Sequence, residues 1–132
     1  MTATSALLGL GDEPYVLLTT TRRSGVDVPT PVWVARDGEA LVVTTGGDSG
    51  KVKRLRHTPR VTLQACDRAG RPDDGAPVLT APASVHDDDD ARARLDELFH
   101  DKYGAQYRAI RALGRVRGRD RSASVVVRIM ES

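Results

Sequence analysis

The sequence predicts a mainly β protein, an antiparallel β-barrel with helical insertions, built as a single domain from residues 1–132. Short segments rich in β-branched residues recur along the chain, and turns containing glycine, proline or aspartate separate them. Several of these segments follow one another without the intervening helices that parallel strands would require. Helical periodicity appears only in separate blocks, which we interpret as insertions into a barrel.

The first half of the chain predicts a short helix over residues 3–10, followed by hairpins. Pro29 and Pro31 lack the N–H group that a central strand needs, so we expect the second strand to have a free or bulged edge. Asp37-Gly38 is a tight-hairpin signal and separates the second strand from the third. The strands predicted for this half are 15–21, 28–35 and 40–45.

The second half of the chain predicts the remaining helices and strands of the barrel. A helix that begins at Ser49 is stopped by Thr58-Pro59, because the residue before proline avoids the helical region. The acidic residues from Asp87 to Asp90 favour the start of a second helix through its dipole. The predicted helices are 49–57, 87–103 and 106–113, and the predicted strands are 60–66, 78–85 and 124–130.

Composition limits both the core and the partners of the protein. Hydrophobic residues make up 39% of the chain and aromatic residues only 4%, so the core must be built from aliphatic side chains. A core this modest indicates that part of the apolar surface is buried against a second copy of the chain. The formal net charge of +2 does not suggest a general nucleic-acid binder.

Cysteine content and hydropathy indicate the cellular compartment. Cys66 is the only cysteine, so an intrachain disulfide is impossible, which fits a reducing environment. The N-terminal apolar run is too short for a signal peptide, and no stretch approaches the roughly 20 apolar residues of a membrane span. We therefore expect a cytoplasmic protein with no membrane partner.

The start of the helix that follows the third strand combines the features of an anion-binding site. Ser49 is placed to cap the helix, and Gly50 allows a ligand to approach the backbone. Lys51 and Arg54 are three residues apart and share a helix face, while Lys53 lies off that face. The alternative is an ordinary solvated basic helix. The coincidence of turn, cap and clustered cations favours the anion site.

The same stretch carries a family resemblance. Residues 42–55, VVTTGGDSGKVKRL, resemble the cofactor-binding stretch of the pyridoxamine-5′-phosphate-oxidase-like split β-barrel superfamily. Further segments are similar to one branch of it, the small actinobacterial flavin/deazaflavin oxidoreductases assigned to coenzyme F420. These segments are 15–20, 28–34, 53–61 and 102–108.

The resemblance implies a split β-barrel of the FMN-binding type that forms a homodimer with cofactor sites at its interface. The cofactor phosphate would be bound by Ser49 and Lys51, with Lys53 and Arg54 as neighbours. The oxidases have an arginine where this chain has Gly50, so one phosphate contact is absent, and Lys53 is our candidate to compensate. The residues expected to line the ring of the cofactor are Pro31, Val32, Trp33, Val34, Thr44 and Thr45.

The function implied is an oxidoreductase that uses reduced coenzyme F420 to transfer a hydride to an unsaturated or quinone-like small molecule. FMN carries the same ribityl phosphate, so an FMN-dependent oxidase or reductase is the alternative from the same fold. A non-catalytic flavin- or F420-binding protein is a third possibility. A nucleic-acid-binding module ranks last, because aromatic stacking residues are scarce. No catalytic side chain can be assigned, and no metal-ligand spacing is present.

Overall fold

A computed structural model describes residues 4–46, 50–116 and 124–130 of the chain. The strands are β1 (Val16–Thr21), β2 (Asp27–Val32), β3 (Ala35–Asp37), β4 (Ala40–Gly46), β5 (Arg60–Ala65), β6 (Leu79–His86) and β7 (Ser124–Met130). The helices are α1 (Thr4–Leu8), α2 (Gly50–His57), α3 (Asp89–Tyr103) and α4 (Ala105–Val116), and a 3-10 turn, Gly9–Asp12, follows α1. None of the helices in these segments combines the length and apolar character needed to cross a membrane.

The described strands form one curled antiparallel sheet in the order β2-β1-β5-β6-β7-β4-β3. The two edge strands, β2 and β3, are neighbours along the chain, so the sheet must curl until its edges approach each other. The last strand, β7, lies inside the sheet between β6 and β4. This half-barrel with helical insertions confirms the predicted fold class.

The predicted edge character of the second strand is also confirmed. β2 pairs only with β1 in the described sheet, with Pro29 opposite Thr19 and Pro31 opposite Leu17. The β3–β4 hairpin turns at the predicted position. Gly38 has a φ of +60°, the left-handed conformation that the first central residue of a tight hairpin requires.

The predicted extent of the second strand is wrong. Strand β2 ends at Val32 and a separate strand begins at Ala35, whereas the sequence predicted one continuous strand over 28–35. The backbone of Val34 bonds to side chains of α3 and not to a strand. Its N–H donates to the Tyr103 hydroxyl at 3.0 Å, and its carbonyl accepts from Lys102 Nζ at 2.5 Å. The chain passes from one sheet edge to the other at this point.

The other elements agree with prediction to within a few residues at their ends. Cys66, predicted to end a strand, instead forms an isolated bridge with Pro72 and is buried. Burial raises the pKa of the Cys66 thiol, and Asp67 and Asp73 add to that effect. Helix α2 begins at Gly50 in the described chain, and Ser49 lies outside the described residues.

Two hydrophobic clusters form the core of the described chain. The larger fills the curled sheet with aliphatic side chains such as Leu18, Leu63 and Ile129, as the composition predicted. The smaller packs α3 and α4 on the outside of the sheet. The low aromatic content did not lead us to expect that aromatic rings would stack in the core. Nevertheless, this cluster contains four of the five aromatic residues. These are Trp33, Phe99, Tyr103 and Tyr107.

Lys102 fixes α3 both to the 3-10 turn that follows α1 and to the strand crossover at Val34. Its Nζ donates to the carbonyl oxygens of Gly11 at 2.6 Å, Glu13 at 2.5 Å and Val34 at 2.5 Å. Burial lowers the pKa of Lys102 to about 8, against the opposing charges of Asp12 and Glu13. The ammonium group is therefore still charged at neutral pH and supplies all three of its donors.

Asp37 joins the edge strand β3 to the sheet interior and to α3. Its carboxylate bonds to Arg128 of β7 at 2.7 Å and to Arg94 of α3 at 3.1 Å. Burial alone would raise the pKa of Asp37. The hydrogen bonds and charges of Arg128 and Arg94 outweigh burial, so the pKa lies below its ordinary value.

We expect Asp37→Asn to destabilise the protein at neutral pH and much less in acid. A carboxylate with a lowered native pKa stabilises the fold above its unfolded pKa, and that contribution disappears as the pH falls through the native value. The expected loss at pH 7 is about 1 kcal/mol of unfolding free energy. Urea denaturation of both proteins between neutral and acid pH measures it.

The matched control is Asp74→Asn, at an exposed carboxylate with no ion pair within the described segments. It should leave stability unchanged at every pH. The difference in unfolding free energy between wild type and Asp37→Asn could instead stay constant down to low pH. That result would mean that asparagine disturbs the packing and that the charge of Asp37 contributes nothing to stability.

Candidate functional site

Helix α2 presents cations on one side because its apolar residues anchor the other. Val52 and Leu55 are 1% and 2% exposed and pack into the fold. Lys51 and Arg54 are half-buried, while Lys53 is exposed. The strand β4 leads into this helix, so its start lies at an end of the sheet.

Lys51 and Arg54 form a pair of like charges on one side of α2. Burial and then the charge of Arg54 lower the pKa of Lys51, which places the two cations close together. Within residues 4–46, 50–116 and 124–130, neither side chain has an acidic partner. Half-buried cations that repel each other are costly unless an anion binds between or beside them.

The guanidinium of Arg54 occupies the space beside Gly50. A Cβ atom built on Gly50 would lie 2.6 Å from Arg54 Nη1. The same side chain is held from β1, where Arg54 Nε donates to Thr20 Oγ1 at 2.6 Å. The open backbone predicted at Gly50 is therefore covered by an arginine of the same helix.

A basic cleft adjoins this helix. Its volume is about 630 Å³ and it lies between α2 and the turn that follows β1. We call it the basic cleft and define it by its lining residues, Arg22, Arg23, Lys53, Arg54, Arg56 and His57. The sequence analysis missed the contribution of Arg22 and Arg23, because they lie far from α2 along the chain. Only the packing of β1 beside α2 reveals it.

The residues expected to line a cofactor ring lie in two places. Pro31 and Val32 end the edge strand β2, and Pro31 lies against the turn at Gly70, where an added Cβ would be 3.4 Å away. Thr44 and Thr45 are half-buried near the end of β4, and the Thr44 hydroxyl donates to the Val125 carbonyl at 3.2 Å.

Two members of the expected ring-lining set are used by the core. Val34 is 0% exposed and its side chain lies inside the larger hydrophobic cluster. Trp33 stacks on Tyr103 with ring centroids 4.2 Å apart and an angle of 8° between the rings. In this single chain the Val34 side chain lies inside the core, and a ring-lining role for this strand position stays a prediction. Trp33 is half-buried and keeps part of its surface.

Register relates the cation pair to the strand residues. Thr20, which holds Arg54, lies opposite Val28, and Val16 lies opposite Val32. Four residues along a strand correspond to about 13 Å. The Thr20 contact of Arg54 and the end of β2 are therefore about 13 Å apart along β1. Ser49 lies outside the described residues, so its position in the site stays a prediction.

Comparisons with known proteins agree with this fold. A family model described as pyridoxamine 5′-phosphate oxidase matches residues 5–131. No curated protein sequence matches the chain.

Solved structures share the architecture at low sequence identity. A Listeria innocua protein assigned as a pyridoxamine 5′-phosphate oxidase is 18% identical, with a TM-score of 0.66 over 98% of this chain and 93% of that one. A structure named F420 reductase is 20% identical, with a TM-score of 0.62 over 100% and 95%. A conserved hypothetical protein from Mycobacterium tuberculosis is 20% identical, with a TM-score of 0.71 over 99% and 81%.

Proposed function

Because the chain belongs to the pyridoxamine 5′-phosphate oxidase family, we propose that it is an oxidoreductase that binds a phosphate-bearing flavin-type cofactor. We propose coenzyme F420 as that cofactor and an unsaturated or quinone-like small molecule as the hydride acceptor. The F420 assignment is supported by the branch resemblance in the sequence. The structural neighbour named F420 reductase is consistent with it.

One observation carries the cofactor site, the half-buried pair of Lys51 and Arg54. A phosphate dianion needs fixed positive charge and N–H donors, and this pair meets the start of α2, where backbone N–H groups have no helical partner. The residues present therefore fit a ribityl phosphate. In our proposal Ser49 and Gly50 contribute backbone and hydroxyl donors, and Lys53 adds charge from the basic cleft.

The rest of the cofactor would extend along the surface toward β2 and β4. A phosphate at α2 and a ring near Pro31 and Val32 would then lie about 13 Å apart along the strand. Thr44 and Thr45, half-buried near the end of β4, would border the cofactor from that strand. The cofactor supplies hydride chemistry when bound, and the protein residues orient it and limit water. The proton source is not assigned to a side chain.

A homodimer completes the proposed site. β2 is an open edge of the described sheet, and Val26, just before it, is 55% exposed. Val78 is 60% exposed and Met130 is 45% exposed. Burial of such residues against a second copy would cover apolar surface that the single chain leaves in water. The cofactor would then lie at the interface, as the family resemblance implies.

The basic cleft favours F420 over FMN on electrostatic grounds. F420 carries an anionic oligoglutamate tail beyond its phosphate. Arg54 lines the basic cleft and is also a member of the cation pair, so a tail that leaves the phosphate could enter the cleft. The arginine-rich stretch from Arg108 to Arg121 is a second candidate for tail binding. Arg108 is exposed on α4, and residues 117–121 lie outside the described residues.

Fluorescence titration with F420, FMN and riboflavin tests the proposal. We expect sub-micromolar binding of F420, weaker binding of FMN and the weakest binding of riboflavin, which lacks the phosphate. Addition of reduced F420 and a quinone should then give loss of reduced-cofactor absorbance. Light scattering of the same sample should give the mass of a dimer.

Each other outcome selects an alternative. Tight FMN binding without F420 binding would replace F420 by FMN as the cofactor. Cofactor binding with no turnover across quinones and enones would favour the non-catalytic binding protein. Failure of F420 and FMN to bind would overturn the oxidoreductase proposal.

A further inference from the structure

Thr20 is the one buried polar side chain among the described residues, and it is 1% exposed. Its hydroxyl accepts the hydrogen bond from Arg54 Nε at 2.6 Å. A buried hydroxyl without a partner is destabilising, so this contact satisfies Thr20 and also fixes Arg54. The strand β1 therefore determines where a side chain of α2 points.

The bond to Thr20 uses only one edge of the guanidinium. Nη1 and Nη2 of Arg54 have no hydrogen-bond partner within the part of the chain that the structure describes. Nη1 lies beside the α-carbon of Gly50, at the start of α2. The donors of Arg54 are thus turned back toward the helix start, next to Lys51.

Gly50 is what allows this arrangement. Any other residue at position 50 would place its Cβ 2.6 Å from Arg54 Nη1, and the guanidinium would have to move. The resemblance described above implies an arginine in the oxidases at the position of Gly50. Here the arginine comes from one helical turn later, and the glycine leaves the space that its guanidinium fills.

We propose that Arg54 replaces the missing arginine of the phosphate site and that Thr20 is its positioning residue. This inference rests on the proposed function, because it names the residues that complete the same site. It also differs from the expectation for Lys53, which is exposed on α2 and lines the basic cleft. Lys51 and Arg54 together would contact the phosphate, and Thr20 would act only through Arg54.

The test is a set of binding measurements on Thr20→Val, Thr20→Ser and Gly50→Ala with FMN, F420 and riboflavin. Thr20→Val should weaken the binding of the phosphate-bearing cofactors about 5-fold, as expected for the loss of one hydrogen bond. It should leave the affinity for riboflavin unchanged. Thr20→Ser keeps the hydroxyl and should restore wild-type affinity. Gly50→Ala should resemble Thr20→Val, because it displaces the Arg54 guanidinium.

A double-mutant cycle isolates the pathway through Arg54. In an Arg54→Ala background, Thr20→Val should have no further effect on affinity for phosphate-bearing cofactors. The positioning role would be overturned if Thr20→Val caused its full loss of affinity in the Arg54→Ala background as well. Equal losses of affinity for riboflavin and FMN would also overturn it. Thermal melting of each variant identifies any loss that comes from unfolding.

Inorganic phosphate separates this inference from the proposed function. NMR of ¹⁵N-labelled arginine should show the Arg54 Nε–H signal shifting with phosphate in wild type and not in Thr20→Val. If this shift occurred and neither F420 nor FMN bound, the result would support Arg54 as a phosphate contact positioned by Thr20. It would refute the proposal that the protein binds a flavin-type cofactor. Tight cofactor binding that is indifferent to Thr20→Val and Gly50→Ala would refute the inference and leave the proposed function standing.

Discussion

Replacing Lys102 by methionine is expected to lower the free energy of unfolding by about 3 kcal/mol, because backbone carbonyls lose a charged donor. The three carbonyls are those of Gly11, Glu13 and Val34, and the methionine side chain offers none of the donors. For a chain of this size, that loss corresponds to a fall of about 10 °C in the melting temperature. Calorimetry and urea denaturation at pH 7, where Lys102 is charged, measure it.

The matched control for Lys102 is Lys53→Met, which removes an exposed lysine of α2. It should change stability by less than about 0.5 kcal/mol. If both variants lost the same small amount, the hydrogen bonds of Lys102 would contribute little, and the packing of Tyr103 on Trp33 would be left as the main attachment of α3 to the strand crossover.

Lys51→Ala is expected to weaken the binding of F420 and FMN by about 10- to 100-fold, the range for loss of a charge-assisted hydrogen bond. Lys51 is half-buried beside Arg54, so its charge is poorly screened by water and acts strongly on a nearby phosphate. Riboflavin binding should be nearly unchanged. Titration of wild type and Lys51→Ala with the three ligands at fixed ionic strength measures the ratio of their dissociation constants.

Lys53→Ala serves as the neighbouring control for Lys51. Its side chain is exposed, so its charge is screened and its loss should cost only a few-fold in affinity. Equal losses for riboflavin and FMN in Lys51→Ala would show that Lys51 is not a phosphate contact. A larger effect at Lys53 than at Lys51 would move the phosphate into the basic cleft.

Local signals in the sequence were sufficient for most of the fold. Pro29 and Pro31 placed β2 at an edge, and Asp37-Gly38 placed the hairpin turn, because both effects depend on the backbone of the residues themselves. Asp88 illustrates the same point. Its side chain accepts from the Ala91 N–H at 3.1 Å and begins α3 near the predicted acidic start.

The strand crossover could not be predicted, because its cause is distant in sequence. Val34 looks like the interior of a β-strand, and its backbone partners Lys102 and Tyr103 come from the far end of α3. The aromatic stacking of Trp33 has the same origin. A local pattern contains no information about which helix will supply a competing donor.

The candidate site was predictable in part for a related reason. Lys51 and Arg54 could be placed on one helix face from their spacing, and they do lie close together. The direction of Arg54 depends on Thr20 in another element, so the space at Gly50 seemed open from the sequence. Resemblance supplied the ring-lining residues, but it could not show that the Val34 side chain points into the core.

The interior position of β7 determines when the protein can fold during its synthesis. Strand β4 pairs with β7 along its whole length and β6 along the second half of its length, and β7 is residues 124–130. A nascent chain still lacking those residues carries two open strand edges, which are sites for pairing with other chains. The sheet can close only after residues 124–130 have left the ribosome, so these two edges stay open to other chains until β7 is available.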